Sequence, residues 1–139
     1  MSRLNNFKRQ HREIRELADK ISMILNQDLL VQDPMEVRNL LSTLSGKLMM
    51  HLAMEDQFLY PNLMESNDSQ IQTTAARFST EMGDLVKVFK DYSAKWLNPS
   101  TIQANHETFI EESRAIFQAL LKRIDREDRE LYPLVEEDE

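Results

Sequence analysis

Cysteine is absent from all 139 residues, which excludes a disulfide framework, a thiolate metal site and a cysteine nucleophile. Glycine occurs twice and proline four times, too few for a fibrous or low-complexity chain or for a glycine-rich phosphate loop. No apolar run exceeds a few residues, so nothing is expected to span a bilayer. The opening MSRLNNFKRQHRE turns polar too early for a secretory signal. Basic residues are outnumbered 17 to 24, and the net charge of −7 repels phosphate backbones and anionic lipid. Nucleic acid and membrane are therefore not expected as partners. The expectation is a soluble cytoplasmic protein of one domain over 1–139, able to bury about two-thirds of its unfolded surface.

What is present is helical spacing from end to end. Leu4, Phe7, His11, Ile14, Ala18, Ile21 and Leu25 recur at steps of three and four, the seam of a helix facing a partner. The pattern breaks near Asn26–Asp33. Asp33-Pro34-Met35-Glu36 then reads as a fresh start, with an N-cap, proline at the first position and a capping-box acid. Similar stripes run from Val37 to Leu59, from Ile71 to Trp96 and from Phe109 to Leu134. The predicted helices span about 3–26, 34–64, 69–97 and 101–135. Short connections favour antiparallel neighbours, so the expected fold is all-α, an up-down-up-down four-helix bundle. The acidic tail Glu136–Glu139 reads as frayed.

The chain also repeats itself. His51-Leu-Ala-Met-Glu55-Asp56-Gln-Phe-Leu59-Tyr60-Pro61 aligns without a gap on Arg123-Ile-Asp-Arg-Glu127-Asp128-Arg-Glu-Leu131-Tyr132-Pro133. Forty residues separate His11 from His51, and forty-one separate Met82 from Arg123. A duplicated helical hairpin follows, with histidine at both key positions of the first half and at neither of the second.

His51 and Glu55 are one helical turn apart on the apolar stripe, and His11 lies on the stripe of its own helix. A lone seam histidine is ordinarily a hydrogen-bonded core residue, and a lone seam glutamate ordinarily reaches water. His11, His51, Glu55 and Glu127 together, on three helices, match the way metal sites are built inside bundles. Imidazole with carboxylate suits iron, and zinc or manganese after it. Glu81 reads as a solvated helix flank that could swing in as an extra ligand. His106 reads as a surface or capping residue and Trp96 as packing at the bundle end. Met49, Met50 and Met54 read as core filling and flanks.

These motifs resemble the hemerythrin-like (HHE cation-binding) family, whose signature includes His-x-x-x-Glu followed by Leu-Tyr-Pro or Leu-Phe-Pro. The resemblance covers all four predicted helices. It implies a non-heme di-iron centre that binds oxygen or responds to redox state. By that resemblance His11 and His51 match one iron's histidines, and Glu55 and Glu127 match the bridging acids. The other iron's third-helix positions fall on Phe78 and Met82, and its fourth-helix position falls on Arg123. The spacing from Arg123 to Glu127 is four where the family usually has five. Reversible oxygen carriage on two irons is therefore not expected; one ion per chain is.

Two carboxylates facing each other need a cation between them. Arg123 either bridges Glu55 and Glu127 where the second ion would sit, or snorkels to solvent while Ile124 takes the core position. The leading expectation is a non-enzymatic metal-binding protein for oxygen, nitric oxide or redox sensing, or for metal handling. The alternative is a metal-free regulatory bundle, its His–Glu–Arg network purely structural, that binds a protein partner.

Overall fold

The computed structural model describes residues 4–138, with side chains placed for 4–136. Residues 1–3 and 139, part of the expected domain, and the side chains of 137 and 138 in the expected tail lie outside that description. The described residues are all-α, without a strand. Helix α1 spans Asn5–Met23, α2 Gln27–Gln32, α3 Pro34–Met54, α4 Tyr60–Met64 and α5 Ser69–Lys95. They are followed by α6 at Pro99–Ala104, α7 at His106–Arg126 and α8 at Tyr132–Asp138. Two π-helical turns, Glu55–Leu59 and Glu127–Leu131, join α3 to α4 and α7 to α8 without a break.

The starts of these helices are chemically specified. Asn26, Asp33, Asp68 and Asn98 each accept a backbone N–H with the side-chain oxygen, and Pro34 and Pro99 occupy first positions. Asn26 turns the expected break before Asp33 into the short helix α2, anchored by buried Leu30. The predicted fourth helix is interrupted at Asn105, whose side-chain amide donates to the Thr101 carbonyl and competes with the helical ladder. The tail backbone is helical to Asp138 rather than frayed.

Helix α1 packs against α3 and α7, α4 against α5, and α5 against α3 and α7. The seams meet in one core that includes Ile14, Leu44, Phe78, Phe89, Phe109 and Leu120. Trp96 closes one end, buried edge-on to Phe109 and donating its indole N–H to Glu112. No described helix is long and apolar enough to cross a membrane.

Candidate metal centre

Each π turn begins at a glutamate and ends one residue before a tyrosine–proline pair. The cause is local. Pro61 and Pro133 lack an N–H, and their rings would collide with the carbonyls of Gln57 and Arg129 four residues back in a regular helix. An extra residue in the preceding turn moves those carbonyls aside. Tyr60 N–H then donates to the Glu55 carbonyl and Tyr132 N–H to the Glu127 carbonyl, five residues back.

Glu55 and Glu127 each stand four residues after a buried position of the preceding helix, His51 and Arg123, and so face the interior, where they meet His11 and His51. All four residues are at most 1 % exposed, and one ligand-capable atom of each lies within 4.8 Å of the others. His11 Nε2 is 3.0 Å from His51 Nε2 and 3.1 Å from Glu127 Oε1. His51 Nε2 is 3.1 Å from Glu55 Oε1 and 3.9 Å from Glu127 Oε1.

The outer edges of the imidazoles are held. His11 Nδ1 donates to Asp128 Oδ1 at 2.9 Å, and Asp128 Oδ2 accepts from Arg15 at 2.6 Å. His51 Nδ1 donates to Gln10 Oε1 at 2.6 Å, and the Gln10 amide donates to Met54 Sδ at 3.3 Å. With Nδ1 spent as donor, Nε2 is the lone-pair atom of a neutral ring, and both Nε2 atoms face inward.

The carboxylates are capped crosswise. Tyr60, in the first half, donates to Glu127 Oε2 at 2.9 Å; Tyr132, in the second, donates to Glu55 Oε2 at 3.2 Å and lies 3.1 Å from His11 Nε2. Burial and the two glutamates push both phenols well above their ordinary range, so they remain donors. Burial, then the charge of Glu127, raises Glu55. Burial also opposes ionisation of Glu127, but Glu55 and the two histidines outweigh it and hold Glu127 low. Burial disfavours charge on His51 as well, yet Glu127 and Glu55 push its pKa up to about 9.

The chain matches the hemerythrin HHE cation-binding domain over residues 2–135. It belongs to that family. Among curated proteins and solved structures no match was found. The family implies a metal, and the donor set fits one. Glu55 Oε1 is buried without a hydrogen bond, and two imidazole Nε2 atoms and a carboxylate oxygen share its space. Adjacent ligands of an ion bonded at about 2.1 Å lie roughly 3.0–3.4 Å apart, close to most of the spacings here.

The hemerythrin pattern is altered where the second ion would bind. Phe78 and Met82 are buried there, with no nitrogen or oxygen in either side chain. Arg123 turns inward, 6 % exposed, but does not bridge Glu55 and Glu127. Its guanidinium stacks 4.3 Å over the Phe78 ring, donates to the Phe78 carbonyl and to Glu81 at 2.9 Å, and reaches the Tyr60 hydroxyl at 3.3 Å. Glu81, 38 % exposed in its side chain, also accepts from Arg126 at 2.7 Å and so serves two arginines. His106 begins α7, partly buried, away from the four-residue cluster. Met49 and Met54 are half-buried flanks and Met50 is exposed.

Gln10, Asp128, Tyr60 and Tyr132 are the residues that sequence reasoning passed over. The repeat contained the last three, but as markers of register; nothing in the spacing alone assigns them partners.

Proposed function

We propose that this hemerythrin-family protein binds a single divalent ion, iron first and zinc or manganese after it, through His11, His51, Glu55 and Glu127. The observation that carries the reading is convergence: two imidazoles anchored at Nδ1 direct both Nε2 atoms at one point, beside an orphaned carboxylate oxygen. A bound ion would supply Lewis acidity and, if iron, a redox change. The residues supply a dry, pre-oriented cage: Asp128 and Gln10 set the rings, and Tyr60 and Tyr132 turn one oxygen of each glutamate away. With those oxygens capped and Arg123, Phe78 and Met82 behind them, no second group of three histidine or acid ligands is present among the described residues.

Two nitrogens and two oxygens leave coordination positions for a small ligand. We read the role as cytoplasmic sensing of oxygen, nitric oxide or redox state, or metal handling, without enzymatic turnover. An up-down-up-down four-helix bundle is the arrangement this reading assumes; the short corners and the packing of α1 on α3 and α7 support it.

The metal-free regulatory reading has one observation in its favour. His51 Nε2 lies 3.1 Å from Glu55 and 3.9 Å from Glu127, whose charges, against burial, push its pKa up to about 9, so that a proton there would balance an acid without an ion. Tag-free protein loaded anaerobically and analysed for iron, zinc and manganese separates the two. About one ion per chain is expected. Two tightly held ions would overturn the single-ion site, and none under any loading condition would leave the metal-free bundle.

A further inference from the structure

The two imidazoles are not held alike. His51 leans on a neutral amide, whereas His11 leans on a carboxylate that Arg15 clamps from the other side. A carboxylate cannot donate to a ring nitrogen, so this contact keeps a proton on His11 Nδ1. An ion taking the place of the contacts that Nε2 makes with Glu127, His51 and Tyr132 would meet its lone pair.

The repeat contains a natural comparison. Asp128 follows Glu127 as Asp56 follows Glu55, on equivalent π turns. Yet Asp56 is exposed and makes no hydrogen bond or ion pair among the described residues. The residue opposite it in the repeat register is Met82, whose thioether has no N–H to offer. The aspartate thus keeps its inward contact only in the half where a histidine stands across from it.

We propose that Asp128 is a positioning residue of the metal centre: it fixes the His11 ring and tautomer so that Nε2 meets the ion, with Arg15 holding the carboxylate in place. The proposal rests on the metal-binding reading. It distinguishes Asp128 from the other acids on the surface of α7 and its π turn. It also explains why a residue with 28 % of its side chain exposed bonds inward rather than to water.

The test is ferrous affinity, measured anaerobically by competition with a chelator, for the full chain and for Asp128→Ala, Asp128→Asn and Asp56→Ala. Loss of an outer partner of a ligating histidine typically weakens metal binding about 10–100-fold, which is expected for Asp128→Ala. Asp128→Asn keeps an acceptor for His11 and should recover most of that loss; Asp56→Ala should bind as wild type. Nitrogen-detected NMR of metal-free protein gives the second readout. The His11 Nδ1–H signal should be protected in wild type and Asp128→Asn, and exchange rapidly in Asp128→Ala. Unchanged affinity or an unchanged ring signal in Asp128→Ala overturns the proposal. No ferrous uptake by wild type overturns the underlying metal reading, which is a different result.

Discussion

Arg123 shows what one residue does when the group it replaces is lost. Its guanidinium is paired with Glu81 and stacked on Phe78, and touches the carboxylate pair only through the Tyr60 hydroxyl. Arg123→Met therefore leaves Glu81 with Arg126 and with water, and leaves Tyr60 without its donor. We expect a loss of about 2 kcal/mol, the scale of buried hydrogen bonds to a charged group, rather than the larger cost of stranding a buried ion. Burial pushes Glu81 up, but Arg126, Arg123 and Arg77 together outweigh it and hold the carboxyl below its ordinary value. Its ionisation is therefore complete well below neutrality, and the loss should be constant between about pH 6 and 8. Urea unfolding of metal-free protein across that range checks it; a deficit that deepens with rising pH would mean that the arginine serves Glu55 and Glu127 directly. The register of Arg123 opposite His51 allowed both an inward and a snorkelling side chain, and the structure turns it inward. Its choice of Glu81 was not legible, because a helix-flank glutamate looks solvated until the neighbouring helix brings two arginines to it.

At the scale of elements, the two π turns make room for the proline that follows each tyrosine. Deleting exposed Gln57 removes the extra residue of the first turn. Tyr60 then stands four residues after Glu55, as a regular helix requires, and keeps its place one turn above it, but Pro61 loses the widened turn that cleared its ring. A proline forced against a carbonyl in a regular helix should destabilise the chain by about 3 kcal/mol or more. Tyr60→Phe should cost less, since it removes the bond without the backbone conflict; thermal unfolding of both variants gives the ranking. A deletion that is no worse than Tyr60→Phe would show that relief of Pro61 is not what the turn supplies. Helix identity was readable from hydrophobic spacing because every long segment has one buried stripe. The π turns were not, although Pro61 and Pro133 marked them, because a proline reads equally well as a helix end. Asn26 and Asn105 were likewise in view, but whether an asparagine caps, breaks or merely decorates depends on what the following residues can bury.

For the molecule as a whole, the centre links protons, metal and folding. In metal-free protein His51 is raised from an ordinary value near 6.5 to about 9. That contribution is fully present below the unfolded value and is lost as pH rises through the folded one, so stability should fall between about pH 6.5 and 9. The raised Glu55 acts in the same direction. The loss is at most about 3 kcal/mol from His51. An ion displaces that proton, so loaded protein should lose less stability over the same range, and loading should release protons to the buffer. Urea unfolding with and without the ion, at several pH values, tests both; parallel curves would mean that ion and proton do not compete for His51. The cross-capping by the tyrosines has a consequence of another kind. Tyr60 answers for an acid in the second hairpin, Tyr132 for an acid and a histidine in the first, and Asp128 reaches back to His11. Neither hairpin holds a finished cage, so the site works as a clasp: it closes only when the two halves of the duplicated chain have met in the right register.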